Sequence, residues 1–331
     1  MKRSAVWKYV YGWVAAWLAA GALPAIAQKG DTAAGFPTRP IRVIVPFSPG
    51  GQPDIFARMV GQKVTGSTGQ QIVVDNRAGA GGMLGSRIVA EATPDGYTLL
   101  SISAAHTILP TVRKLPFDTR RDFAGISMLY SAAYILVVPP SLGVKTTKDL
   151  IALAKGKPGQ LNLASAGRGS GTHFAGEVFK NAAAIDVVHV PYKGIPEATN
   201  DLLAGRVQLF MAPLASSTPL VRDGRMRALG VTSPKRVSVL PDVPTIAEAG
   251  LPGFRWDSWG AIFAPAKTPR AVISKLNREI TVALRQADVE KNMRALGAEP
   301  APTTAAELDQ FVAQDLAMVR KIADLAGIKP E

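Results

Sequence analysis

The chain has 331 residues, a hydrophobic content of 47% and no cysteine. The absence of cysteine excludes disulfide bonds and thiolate metal sites. Its 38 lysine and arginine residues outnumber 25 aspartate and glutamate residues, and the net charge of +13 favours anionic partners. Because the basic residues are scattered and only 7% of residues are aromatic, we expect a small anionic ligand and no nucleic acid.

The first 27 residues have the pattern of a secretory signal peptide. Lys2, Arg3 and Lys8 precede an apolar stretch, and the sequence Ala-Ile-Ala at 25–27 is an A-x-A cleavage site. A membrane anchor is the alternative, but the apolar stretch is short for one. Cleavage after Ala27 would leave 304 residues with a net charge of +10. We expect this product in the periplasm, where a protein without disulfides needs a sufficient hydrophobic core.

The stretch from Ile41 to Met59 predicts a strand, a glycine loop and a helix. The apolar run 41–45 is typical of a strand buried on both faces. Gly50 and Gly51 follow, and Asp54 is predicted to cap the helix. The free N–H groups at such a helix start suit a carboxylate, phosphate or sulfate, although an ordinary strand-to-helix turn has the same pattern.

The alternation of strands and helices then continues along the chain. Thr146 with Asp149, and Thr304 with Glu307, predict capped helix starts. Apolar stretches over 124–139 and 256–265 predict two crossovers between lobes. The other predicted strands cover 71–75, 97–103, 161–165, 187–190, 207–211 and 226–232, and the other helices cover 83–92, 173–184, 196–204 and 287–296.

This order predicts an α/β fold with two lobes, each a mostly parallel sheet flanked by helices. The predicted boundaries are 36–137 plus 260–331 for the first lobe and 138–259 for the second. Each lobe has one strand, glycine loop and helix unit, and such loops lie at the strand ends where open α/β sheets bind ligands. Two facing helix starts would suit a molecule with an anionic group at each end.

Several catalytic and cofactor motifs are absent. Neither the loop 79–85 nor the loop 167–172 has the G-x-G-x-x-G fingerprint, and no phosphate-binding G-x-x-x-x-G-K-[ST] sequence occurs. Ser170 is not in a G-x-S-x-G nucleophile elbow. His106, His173 and His189 are far apart in sequence, and each is either a ligand contact or a structural histidine. We therefore expect no metal, no organic cofactor and no enzymatic activity.

The chain resembles the Bug family of periplasmic solute-binding proteins, the receptors of tripartite tricarboxylate transporters. The resemblance runs from Phe36 to Ile328 and includes FPTRPIRVIVPFSPGGQPDIFAR, VVDNRAGAGGMLGS, ASAGRGSGTH, VPYKG and LPDVPTIAEAGLPG in this order. It implies two lobes that close over a small carboxylate, such as a dicarboxylate or an aromatic carboxylate. It also implies delivery of the ligand to a membrane transporter.

The resemblance implies a ligand site made by both glycine loops and two wall segments. From the first loop it implies Phe47, Ser48, Gly50, Gly51 and Asp54. From the facing loop it implies Ser165, Gly167, Arg168, Gly169, Ser170, Thr172 and His173. The walls would include Ala104, His106, Tyr192 and Lys193.

Three residues depart from the family pattern, and one of them, Ala78, replaces a common proline with only a structural effect expected. Arg168 stands where a small amide residue is common, and it either pairs with a distal carboxylate or is solvated. Ala212 stands where many members have aspartate, which disfavours a ligand ammonium group. A receptor that signals to a membrane kinase and a periplasmic enzyme are the alternative functions, and we expect a monomer.

Overall fold

The structure is a computed structural model that describes residues 33, 35–325, 328 and 330. The predicted signal peptide and its cleavage site lie outside these residues. Within the described part of the chain, no helix is both long enough and apolar enough to cross a membrane.

The described chain alternates strands with helices, as predicted. The strands are β1 (Ile41–Val45), β2 (Ile72–Asn76), β3 (Thr98–Ser103), β4 (Phe123–Val138), β5 (Asn162–Ser165), β6 (Val188–Pro191), β7 (Leu209–Pro213), β8 (Arg227–Val231), β9 (Asp257–Pro265) and β10 (Ala298–Pro300). The helices are α1 (Gln52–Thr68), α2 (Met83–Ala90), α3 (Ala105–Val112), α4 (Thr147–Gly156), α5 (Gly171–Ala183), α6 (Ile195–Leu203), α7 (Leu214–Arg222), α8 (Arg270–Leu284), α9 (Ala287–Ala295) and α10 (Ala305–Leu325).

The strands form two sheet regions joined by β4. In the first region β1 lies parallel to β2 and β3, and β9 pairs antiparallel with both β3 and β4. In the second region β5 lies parallel to β6 and β7, while β7 and β8 pair antiparallel with the end of β4. The sheets are therefore mixed, because the strands at the crossovers run against the parallel ones. Helices flank both regions, which confirms the α/β fold class.

The crossover predicted as two apolar stretches is one strand of 16 residues, β4. Tyr130 and Ser131 break the apolar pattern in the sequence, yet both are inside the strand. The Tyr130 ring is fully buried and packs on Phe56, with ring centroids 4.6 Å apart. Burial of this ring is compatible with one continuous strand, although the pairing of β4 with β9 shifts register between Met128 and Tyr130.

Helix α3 has no periodic apolar pattern in the sequence and was not predicted. Seven of its eight residues are buried, and Pro110 lies inside it. A helix that is buried on nearly all faces has no polar stripe, so its pattern is not that of an amphipathic helix. In contrast, Thr146 and Asp149 form the predicted reciprocal cap at the start of α4. Thr304 and Glu307 likewise exchange hydrogen bonds before α10.

Candidate functional site

The first wall of the candidate site is the turn from β1 into α1. The helix begins at Gln52, and its N-cap is Gly51, whose backbone is extended with φ −80°. The prediction that Asp54 caps this helix was wrong, because Asp54 lies within its first turn. The N-cap has no side chain to accept from the helix start. Pro53 has no N–H and the Asp54 N–H donates to the Gly51 carbonyl at 3.0 Å, so the Gln52 backbone N–H is the donor that α1 presents at its start.

Asp54 instead holds the turn in place. Its carboxylate accepts hydrogen bonds from the Gly50 N–H at 2.9 Å, from Arg58 Nε at 3.0 Å and from Asn76 Nδ2 at 3.1 Å. Asp54 is only 4% exposed. Because these donors compensate its charge, an acidic residue is tolerated near a site for an anion.

The second wall is the turn from β5 into α5. Ser170 caps α5, since its Oγ accepts the His173 N–H at 3.2 Å. The Thr172 hydroxyl accepts the Ala166 N–H at 2.9 Å and folds the loop back onto the helix start. The helix begins at Gly171, two residues before the predicted start. A Cβ at Gly171 would lie 2.1 Å from the Tyr134 hydroxyl, so only glycine allows this close approach.

The two turns face each other across a cavity of about 30 Å³, which we call the cleft cavity. Its volume suffices for about two water molecules. No lining residue carries a charge, and the starts of α1 and α5 both reach it. The lining residues are Phe47, Gly51, Gln52, Pro53, Ser103, Tyr134, Ala166, Ser170, Gly171, Thr172, Ile195 and Pro213.

Gln52 supplies a hydrogen-bond donor to this cavity. Its Oε1 accepts the Ser258 hydroxyl at 3.1 Å, which fixes the amide plane. Its Nε2 is buried and has no hydrogen-bond partner among the described residues. A buried donor without a partner costs about 1–3 kcal/mol. An acceptor atom of a ligand would remove this cost.

Contacts between the two sheet regions close the cleft. The Ser48 hydroxyl donates to Glu197 Oε1 at 2.8 Å, so the first loop is linked to the start of α6. The backbone of Gly81, at φ +67°, lies against the Arg168 carbonyl oxygen, which would be 1.6 Å from a Cβ at position 81. The described conformation is therefore closed, and a ligand larger than two waters enters only if the regions separate.

Two histidines lie behind the second glycine loop. The rings of His173 and His189 pack in a tilted arrangement with centroids 4.1 Å apart, and His189 Nε2 is 2.6 Å from Ser165 Oγ. The Gly169 N–H donates to His173 Nδ1 at 3.3 Å. Burial lowers the pKa of His173 to about 3 and that of His189 to about 4, with the positive charge of Arg168 adding to both effects. Both rings are neutral at pH 7, and their hydrogen bonds stabilise the second glycine loop.

Several residues predicted for the site lie elsewhere. His106 is 1% exposed, stacks on Phe263 and has Nε2 3.1 Å from the Thr119 carbonyl oxygen, so it is a core residue. The Tyr192 hydroxyl donates to Asp201 at 2.7 Å. Lys193 is exposed and is not among the residues that line the cavity.

Of the remaining predicted residues, four line the cleft cavity: Phe47, Gly51, Ser170 and Thr172. Gly50 lies near Pro196 of α6, and Gly167 lies near Gly81, so both are at the closure contact. Ala104 is buried, and its N–H donates to the Trp259 carbonyl. The side chain of Arg168 is exposed, while its backbone forms the contact with Gly81.

Sequence reasoning missed the cavity residues that come from other elements. Gln52 directly follows the predicted Gly51, but nothing in the local sequence indicates a ligand contact. Its role depends on Ser258, which lies 206 residues later. Tyr134 lies in the crossover strand, and Ile195 and Pro213 precede or begin helices in the second region. The strand ends of β3 and β7 could have been added, since ligands bind at such ends in α/β sheets.

The fold and this cleft define a class, the two-lobed binding proteins of the periplasm. A family model described as "Tripartite tricarboxylate transporter family receptor" matches residues 56–328. The chain belongs to this receptor family, whose members bind solutes and are not enzymes.

Relatives and solved structures agree with this assignment. The chain is 42% identical to a UPF0065 protein of Pseudomonas sp. (strain P51), over 83% of this chain and 82% of the relative. It is 36% identical to protein BugT of Bordetella pertussis, over 85% and 87% of the two chains.

Two solved structures carry ligands. Rpa4515 of R. palustris, solved with adipate, has a TM-score of 0.87 and 34% identity, over 89% of this chain and all of the other. MatC of Rhodopseudomonas palustris, solved with malate, has a TM-score of 0.82 and 31% identity, over 87% and 99%.

Proposed function

We propose that this protein captures a small carboxylate, in particular a dicarboxylate or an aromatic carboxylate, between its two lobes. The observation that carries the proposal is the buried Gln52 Nε2 beside the uncapped start of α1. Both offer N–H donors, and a helix start adds partial positive charge. The related structures with adipate and malate support a carboxylate ligand.

The cleft cavity also disfavours cationic ligands. Its lining has no acidic side chain, and the buried Ala212 stands beside Pro213, one of the lining residues. The start of α5, with the Ser170 and Thr172 hydroxyls, faces the start of α1 across the cavity. A second carboxylate would therefore meet a second set of neutral donors.

Isothermal titration calorimetry tests the ligand class, after the protein has been unfolded and refolded to remove bound compounds. The panel contains dicarboxylates of four to seven carbons, aromatic carboxylates, the dimethyl esters of both and diamines of matched length. We expect binding by carboxylates alone. If a dimethyl ester bound as tightly as its carboxylate, the helix starts would not be the recognition element. Binding by diamines alone would overturn the proposal.

We also propose lobes of 36–137 plus 260–331 and 138–259, with β4 and the segment before β9 as the hinge. The sheet pairing supports a hinge in β4, because its residues up to Ala133 pair with β9 in the first region and those from Tyr134 pair with β7 in the second, a few residues before the proposed bound. Cysteine pairs placed in each lobe for spin labels would show a distance change on ligand addition. An unchanged distance distribution would contradict a hinge between these lobes.

The family assignment supports a role in transport. We propose that the receptor acts as a monomer, is released by cleavage after Ala27, and delivers its ligand to a tripartite tricarboxylate-type transporter. N-terminal sequencing of the exported protein tests the cleavage site, and light scattering tests the monomer. Deletion of the chromosomal gene should abolish uptake of the labelled ligand. Unchanged uptake with loss of a transcriptional response would instead assign a sensor.

A further inference from the structure

A second concave surface lies at the end of α3, where Leu109 and Val112 pack close to Gly169 of the second glycine loop. It is a groove of about 580 Å³ between the end of α3, the loop 113–120 and α10, and we call it the α3–α10 groove. Its volume is within the range of 300–1,000 Å³ that is typical of small-molecule sites. None of its lining residues belongs to the cleft cavity.

The floor of the α3–α10 groove is apolar. Phe117 is 8% exposed, and Leu115 and Leu316 pack against the main core with part of their surface exposed. Ala317 of α10 is exposed along the same wall. These side chains would remove the apolar body of a ligand from water, which favours binding.

Four cationic side chains surround this floor, namely those of Arg113, Lys114, Arg120 and Arg320. None of them forms an ion pair within 4.0 Å with another residue of the described chain. Arg113 Nε is shielded from solvent and has no acceptor among the residues that the structure describes. A charged donor in this state favours an incoming anion.

Asp118 is the one acidic residue among the described residues that line the groove, and it offsets the charge of Arg120 only in part. Asp118 Oδ1 accepts the N–H groups of Arg120 and Arg121 at 2.8 and 2.9 Å. These hydrogen bonds lower the pKa of Asp118, so its carboxylate is charged but is used by the local turn. The groove thus combines an apolar floor with a surplus of positive charge.

We propose that the α3–α10 groove binds an amphipathic anion. Its apolar acyl or aryl body would lie on Phe117 and Leu316, and its carboxylate, phosphate or sulfonate head would accept from Arg113 and Arg320. The proposal is independent of the ligand in the cleft, because the two sites share no lining residue.

Calorimetric titration with decanoate and decylsulfonate tests the groove, with decyltrimethylammonium as the probe of opposite charge. We expect the two anions to bind and the cation to bind at least about tenfold more weakly, the equivalent of one charge-assisted contact. Equal binding of the cation, or no binding of either anion, would overturn the proposal.

Two groove variants locate the binding. Ala317→Trp would fill the groove without a change in charge, and Arg113→Gln with Arg320→Gln would remove the head contacts. Each should weaken decanoate binding by about tenfold or more. Arg270→Gln, an exposed arginine at the start of α8, is the matched control and should bind decanoate as the wild type does. Unaltered decanoate affinity in the groove variants, with unaltered unfolding midpoints, would refute the site.

The same anionic head can come from a free amphiphile or from a lipid. Sedimentation with phosphatidylglycerol vesicles distinguishes these sources. Cosedimentation that Ala317→Trp abolishes would identify a lipid head, whereas binding of decanoate alone would identify a free amphiphile. Cosedimentation that no groove variant weakens would place membrane binding outside this groove and count against the proposal.

Discussion

A substitution at Gly81 tests whether the cleft closes, although Gly81 is not among the residues that line the cleft cavity. A Cβ at this position would lie 1.6 Å from the Arg168 carbonyl oxygen and 2.7 Å from its carbonyl carbon. Carbon atoms make ordinary contacts at about 3.5 Å, so Gly81→Ala would force the two loops apart by about 2 Å. Both partners are backbone atoms, and no side-chain rotation can relieve the overlap.

The cost of this separation follows from the contacts that closure makes. The Ser48–Glu197 hydrogen bond forms only when the regions meet, and a hydrogen bond to a charged group contributes about 1.5–3 kcal/mol. Glu197 is partly exposed, so we take the lower end of this range. We therefore expect Gly81→Ala to weaken ligand binding by about tenfold or more.

Gly69 provides a matched control for the backbone. It has φ +69°, against +67° for Gly81, and a Cβ there would have no atom within 4 Å. Alanine in this conformation costs about 1–2 kcal/mol at either position. Gly69→Ala should lose this amount alone in urea titrations and keep the wild-type affinity for the tightest carboxylate in calorimetry. Gly81→Ala should lose the closure contacts in addition and bind the carboxylate more weakly. Equal affinities of the two variants would refute the closure contact.

Three further perturbations follow from the structure. Gln52→Leu should weaken carboxylate binding by about tenfold or more in calorimetry, because a donor to a charged group is lost, whereas an affinity within twofold of the wild type would remove Gln52 from the site. Glu197→Ala should raise the ligand dissociation rate in stopped-flow experiments because the acceptor of Ser48 is lost, and Ser48→Ala should add little on top of it; independent, additive effects would contradict their pairing. Burial lowers the pKa of His106 to about 4 from its ordinary 6.5, so the unfolded chain binds a proton that the folded chain does not, and stability falls as the pH drops below 6.5. At pH 5 this proton linkage at His106 lowers the free energy of unfolding by about 2 kcal/mol. In urea unfolding at pH 7 and pH 5, the His106→Leu variant should therefore lose less stability than the wild type. Identical pH dependences of the two proteins would disprove the linkage.

The sequence predicted the elements whose signal is local. The β1 to α1 unit, the capped starts of α4 and α10, and the glycine loop before α5 all follow from residues close together in the chain. Loop position also identified Gly51 and Ser170, since strand ends that precede helices meet at one edge of a sheet.

Features that depend on distant partners could not be read in this way. His106 is a core residue because Phe263, 157 positions later, stacks on it. Gly81 is at the closure contact because the loop around Arg168 arrives from the other sheet region. Asp54 looked like a cap, but Gly51 takes that position and Arg58 and Asn76 use the carboxylate. Such pairings are decided by tertiary packing and not by local propensity.

A crystal structure of the protein with its tightest carboxylate would show how the cleft recognises its ligand. We predict one carboxylate within hydrogen-bond distance of Gln52 Nε2 and the Gln52 backbone N–H, with the start of α5 on the opposite side. Gly81 should remain in contact with the Arg168 carbonyl. A ligand held by a charged side chain outside the cleft cavity, or a ligand bound through an ammonium group, would contradict recognition by the two helix starts.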